Sequence, residues 1–220
     1  MLNPRKSFQS QLEELDSTLL GMGRLAEQML SKVLQALSAR DIALADEVIA
    51  MDDEVDKLNL EIGTKSMQLI ATQQPAARDL RVILAAIQIA SDVERVADYA
   101  VDIALTAKRL ADRPLFKPLV DIPRMQELVK EMLRDSLEGF VTRDLELIRR
   151  MINADDEVDH LYHYLHDELI DFMKKDSNLV DQAVHLLLIA RYLERVADHI
   201  TNIGERVYYV ETGEIKELHK

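Results

Sequence analysis

The chain has 220 residues, 48% hydrophobic and 30% charged, with a net charge of -13 and no cysteine. That balance is enough to build a core and excludes a disordered chain. So acidic a protein repels phosphate backbones and anionic bilayers, which removes nucleic acid and membrane surfaces as expected partners. Without cysteine there is no disulfide and no thiolate ligand, which suits a cytoplasmic protein.

Taken in chain order, Met1-Leu2-Asn3-Pro4-Arg5-Lys6 is basic but has no apolar run behind it, so no signal peptide is expected. The most apolar stretch, Val82 to Ala90, stops at Ser91-Asp92. It is far short of the roughly 20 residues that a membrane span requires. Six Gly and five Pro are few, and no alternating Val, Ile and Thr pattern occurs, so the chain is predicted to be all-α. The first helix is predicted over Ser7 to Arg40. The second opens on Asp41 as N-cap and runs to Thr72, and Gln73-Gln74-Pro75 breaks it. The third covers Ala76 to Asp112. Arg113 to Pro123 holds three prolines and reads as a connection. The scheme then repeats over Arg124 to Arg143, Asp144 to Lys175 and Asn178 to Glu211, with Gly213 ending the last helix. Long helices on short turns pack antiparallel. Two pseudo-symmetric three-helix bundles are therefore predicted, at 1–112 and 124–212, with 113–123 between them.

The repetition extends to the residues that carry chemistry. Asp52-Asp53-Glu54-Val55-Asp56-Lys57-Leu58 returns as Asp155-Asp156-Glu157-Val158-Asp159-His160-Leu161, identical at 6 of 7 positions. Glu94-Arg95-Val96-Ala97-Asp98 returns unchanged as Glu194-Arg195-Val196-Ala197-Asp198. The offsets are 103 and 100 residues. Acids at i, i+4 project from one helix face, about 5–6 Å apart at Cβ. Such pairs usually mark a solvated face, and the helical phase tests that. At about 100° per residue, Asp52 and Asp56 share a sector with Ala45, Val48, Ile49 and Val55. Glu94 and Asp98 share theirs with Ile83, Ile87, Ala90, Val101 and Leu105, while Arg81, Gln88, Asp92, Arg95 and Tyr99 form the wet sector. The second half repeats this, with Met151, Ile152 and Val158 beside Asp155 and Asp159, and Leu187, Ala190 and Thr201 beside Glu194 and Asp198.

Unpaired carboxylates on an apolar stripe cost several kcal/mol, so a counter-ion is required. Arginine partners are scarce in those sectors, Arg191 being the main exception. A bound cation is the other answer, and oxygen ligands suit Mg²⁺, Mn²⁺, Ca²⁺ or iron. The candidate ligands are Asp52, Asp56, Glu94 and Asp98 in one half, and Asp155, Asp159, Glu194 and Asp198 in the other. Four carboxylates per half exceed the need of one ion and allow a multinuclear cluster. Asp102 and Asn202 extend each line by a turn as second-rank ligands. Among the histidines, His160 and His199 phase with the wet faces, His185 packs away from the acids and His219 lies in the tail. His166 falls in line with Asp155 and Asp159, and His163 borders that sector. Their counterparts, Gly63 and Leu60, cannot ligate, so a site shared by both halves does not require them.

The two Asp-x-x-x-Asp helices, each followed by a Glu-Arg-Val-Ala-Asp helix, and the run Gln74-Pro75-Ala76-Ala77-Arg78-Asp79-Leu80-Arg81 resemble the PhoU family. The resemblance covers nearly the whole chain. It implies tandem three-helix bundles whose acidic pairs hold multinuclear metal clusters, with iron or zinc the expected occupants and magnesium or manganese the alternatives. It further implies a cytoplasmic, non-enzymatic negative regulator of the phosphate-starvation response. Such a regulator couples the ATPase of the phosphate ABC transporter to a sensor histidine kinase, with a homodimer as the expected assembly. The Arg-Asp-Leu-Arg run is replaced by Asn178-Leu179-Val180-Asp181 in the second half, so any contacts it makes belong to the first. Two other readings compete. A carboxylate-bridged oxidase or metal store of ferritin-like type needs Glu-x-x-His pairs, and none aligns with the acids. A plain scaffold would neutralise its acids with arginines and bind no ion.

Overall fold

The computed structural model describes residues 4–218, so the first three residues and His219 lie outside the described residues. Six α-helices are found among them: α1 Pro4–Ala39, α2 Ile42–Gln73, α3 Ala77–Leu110, α4 Asp121–Thr142, α5 Leu145–Lys175 and α6 Val180–Thr212. A short 3₁₀ turn, Ser177–Leu179, leads into α6. There is no strand among the described residues. Helices α1, α2 and α3 pack on one another, and α4, α5 and α6 do the same. The halves join chiefly through α3 against α6, with a smaller contact between α1 and α4.

The helix ends show why the sequence breaks where it does. Asp41 sits in extended conformation, and its side chain accepts from the Leu44 N–H at 3.0 Å. Asp144 repeats this with the Glu146 N–H at 2.8 Å. Each is preceded by an arginine in the left-handed region, Arg40 at φ 56° and Arg143 at φ 64°. The same turn is thus built twice from the same Arg-Asp pair, satisfying orphan N–H groups at each helix start. Gly213, at φ 78°, closes α6 by donating its N–H to the Tyr209 carbonyl.

The connection between the halves differs from the sequence reading in its end and in its attachment. Helix α4 begins at Asp121, so Pro123 lies inside its first turn, where a missing N–H costs nothing. The connection is also not free of the bundles. Phe116 packs edge-on against Phe172 with ring centroids 5.1 Å apart. Buried Gln182 accepts from the Phe116 N–H at 3.1 Å and donates to the Pro114 carbonyl at 2.9 Å. Lys117 pairs with Glu168. The three-proline segment is therefore fastened to α5 and α6.

Helix α3 is buried along one broad arc, including Val93, Val96, Ala97, Ala100, Ile103 and Ala104, because α1, α2 and α6 all press on it. That arc is rotated from the predicted stripe. Leu105, assigned to the apolar sector, is 46% exposed, whereas Asp92 and Tyr99, assigned to the wet sector, are half-buried. Periodicity alone placed one apolar stripe on α3 where packing supplies three neighbours.

Candidate metal centre

That rotation moves the repeated acids to the rim of the core rather than its centre. Val55, fully buried, holds α2 down, and Asp52 beside it is half-buried while Asp56 is exposed. Val93, Val96 and Ala97 anchor α3, leaving Glu94 and Asp98 half-buried on the edge nearest α2. The four carboxylates feel one another. Asp52 is raised above its ordinary value by burial first, then by the charges of Asp56, Asp98 and Asp53. Glu94 is raised by burial and by Asp98, with Asp56 and Asp52 adding to it and Arg95 opposing. Asp102 is raised by burial and then by Asp98. One oxygen of Asp52, Oδ1, is buried with no hydrogen-bond partner.

The second half repeats the plan with deeper burial. Asp155 is 9% exposed, Asp159 is exposed, and the Glu194 and Asp198 side chains are 13% and 33% exposed. Glu194 is raised by burial first and then by Asp198, against Arg191 and Arg195, with Asp159 adding a smaller push. Its Oε2 is again a buried oxygen without a hydrogen-bond partner.

Residues 19–107 and 122–207 each match the PhoU domain. The chain belongs to the PhoU domain family. It is 40% identical over 215 residues to a phosphate-specific transport system accessory protein PhoU homolog of Clostridium acetobutylicum, covering 97% of this chain and 98% of the other. A homolog of the same description from Aquifex aeolicus is 40% identical over 205 residues, 93% of each chain. The crystal structure of PhoU from Pseudomonas aeruginosa superimposes with a TM-score of 0.90 at 30% identity, covering 94% of this chain and all of that one. The phosphate transport system regulatory protein PhoU of Streptococcus pneumoniae gives 0.88 at 31% identity, covering 95% and 99%.

In this PhoU chain the acids meet a metal's chemistry in part. The donors are hard carboxylate oxygens, and one in each half is buried and unsatisfied, as a ligand position requires. Among the described residues, however, no three His, Asp or Glu side chains converge as a ready-made cage. Asp56 and Asp159 are exposed.

The motif arginines that pair with these acids were not anticipated from the sequence. Arg95 donates to Asp98 at 2.8 Å and lies 3.8 Å from Glu94, and Arg195 does the same for Asp198 and Glu194 at 2.8 and 3.8 Å. The arginine inside each Glu-Arg-Val-Ala-Asp motif thus leans over the two acids that flank it. Its i, i+3 spacing to the aspartate was the available signal. Arg191, noted from sequence, donates to Glu194 at 2.6 Å. Of the second-rank ligands, Asp102 stays within reach of Asp98 and also faces Tyr192, whereas Asn202 donates its amide to Asp92 across the α3–α6 seam. His199 bonds the same Asp92 at 3.0 Å and stacks near Tyr99, so it belongs to that seam rather than to a wet face. His166 contacts Asp167 at 3.0 Å and lies beside Tyr162.

Proposed function

We propose that this protein is a non-enzymatic negative regulator of phosphate uptake and of the phosphate-starvation response, a metal-binding adaptor between the phosphate ABC transporter and a sensor histidine kinase. The observation that carries the reading is the full-length likeness to proteins named phosphate-specific transport system accessory proteins. No helix among the described residues is long and apolar enough to cross a membrane, which suits a peripheral cytoplasmic partner. The adaptor would work by contact, most simply as a homodimer.

Each acidic cleft would hold a multinuclear cluster of iron or zinc, with magnesium or manganese as alternatives. Asp52, Asp56, Glu94 and Asp98 are the ligands in one half, and Asp155, Asp159, Glu194 and Asp198 in the other. The unsatisfied oxygens of Asp52 and Glu194, together with the crowding of like charges, support this assignment. Bound cations would offset that repulsion and draw α2 toward α3 and α5 toward α6. The ferritin-like alternative has no specific observation in its favour.

The test mixes the purified protein with the transporter's ATPase and, separately, with the kinase's cytoplasmic part, at high and low phosphate. Binding to at least one of them in a phosphate-dependent manner is expected. Binding to neither under both conditions contradicts the adaptor reading.

A further inference from the structure

Where α1 meets α4, the two halves leave a groove of about 440 Å³ between them. Its floor is apolar. Leu133, Leu137 and Val141 line it from α4 at i, i+4 and i+8, and Leu20 and Gly23 line it from α1. That spacing runs for about 12 Å, roughly two helical turns. The gap exists because α1 presents no side chain at Gly23, where a Cβ would overlap Leu137. At one end Arg134 reaches across to Glu27 at 3.2 Å. Toward the other, Leu20 and Val141 are half-buried, so apolar surface stays within reach of a visitor.

The rim says what kind of visitor. Glu27 meets Arg134 and Gly23 lies against Leu137, so α1 and α4 run antiparallel and Arg24 stands level with Glu138 across the groove. Both are exposed, and neither side chain enters an ion pair or hydrogen bond among the described residues. An apolar trench is thus flanked by a cation on its α1 wall and an anion on its α4 wall. This rim is balanced in a chain of net charge -13, so it selects by the placement of charges rather than by their sum. A second copy of the chain fits poorly. A two-fold contact here sets groove against groove and leaves the apolar space unfilled, and any other surface of a copy makes a head-to-tail contact that builds rings or filaments.

We propose that the α1–α4 groove docks an amphipathic helix of a protein partner, which seats bulky apolar side chains on Leu133, Leu137 and Val141 and turns an acid toward Arg24 and a base toward Glu138. This rests on the adaptor reading given above and supplies its contact surface. The apolar face of a docked helix recurs at i, i+3 or i+4, and i+7, which matches a floor two turns long. Its anchors carry most of the binding energy once water is excluded, and the two flanking charges fix direction and register.

The experiment measures the affinity of the full-length protein for the transporter's ATPase and for the kinase's cytoplasmic part, in the wild type and three variants. Val141→Trp fills the groove, and Arg24→Glu and Glu138→Lys reverse the rim charges. Each is expected to weaken binding of one partner by about tenfold or more. Arg24 and Glu138 are exposed, so the charge reversals test the idea even if Val141→Trp alters folding; circular dichroism melts check all three. Wild-type affinity in all three variants overturns the groove as the docking site and leaves the adaptor reading standing. Loss with Val141→Trp but with neither charge reversal overturns the stated chemistry of the helix. A wild-type dimer that Val141→Trp turns into a monomer in light scattering, with partner binding intact, gives the groove to a second copy and overturns the proposal. A wild type that binds neither protein overturns the adaptor reading and the groove with it.

Discussion

Asp16, on α1, has a carboxyl pushed up to about 6 by burial, against the pull of Arg143 and with a further push from Glu13. A raised carboxyl binds its proton more tightly in the folded chain, so its contribution to stability is present at low pH. That contribution is lost as pH climbs from the ordinary carboxylate range through 6. Asp16→Asn mimics the protonated form. It is expected to stabilise the protein by about 1 kcal/mol at pH 8, discounted for partial exposure, and the gain should fade toward pH 4. Thermal melts across that range check it. The same sign applies to Glu94, whose carboxyl is also raised, first by burial. In metal-free protein Glu94→Gln should raise the melting temperature at pH 8, and in cation-loaded protein the change should turn unfavourable. Melts with and without Mn²⁺ separate the two cases.

Among the elements, the connection between halves and the α4–α5 corner carry the clearest tests. Gln182→Leu leaves the Phe116 N–H and the Pro114 carbonyl without their partner, which costs about 1–3 kcal/mol. Protease cutting between α3 and α4 should rise in that variant, and an unchanged digestion pattern would count against the fastening. Gly139 lies where a Cβ would stand 3.1 Å from the Asp144 carbonyl and 2.9 Å from the Ile148 side chain. Backbone cannot retreat as a side-chain tip can, so Gly139→Val is expected to cost about 2 kcal/mol in urea unfolding. These elements also show what the sequence makes legible. The Asp41 and Asp144 caps, the Gln-Gln-Pro break and the Gly213 stop are local chemistry and stand where their residues put them. The rotation of the buried arc of α3 was not legible, because it depends on which three helices press on it. The pinning of Phe116 by Gln182 was not legible either, since the two lie 66 residues apart.

At the scale of the whole molecule, duplication is the organising fact. Two Arg-Asp turns, two acidic helices and two Glu-Arg-Val-Ala-Asp helices give two bundles that meet through α3 and α6. The repeated acids were legible as a set because their spacing is helical. Their position at the rim, under their own motif arginines, was not, because an i, i+3 arginine on an exposed face looks like an ordinary solvated charge. Cation binding by the repeated acids is the proposal on which the reading of this site turns. Its most direct test is metal analysis of untagged protein loaded with Fe²⁺, Zn²⁺ or Mn²⁺ and passed through gel filtration. The wild type is compared with Asp52→Asn/Glu94→Gln/Asp155→Asn/Glu194→Gln, which keeps side-chain shape while removing four charges. Metal is expected to be retained by the wild type and lost from the variant at unchanged helix content. A wild type that emerges metal-free after loading, or a variant that retains as much metal as the wild type, would contradict it.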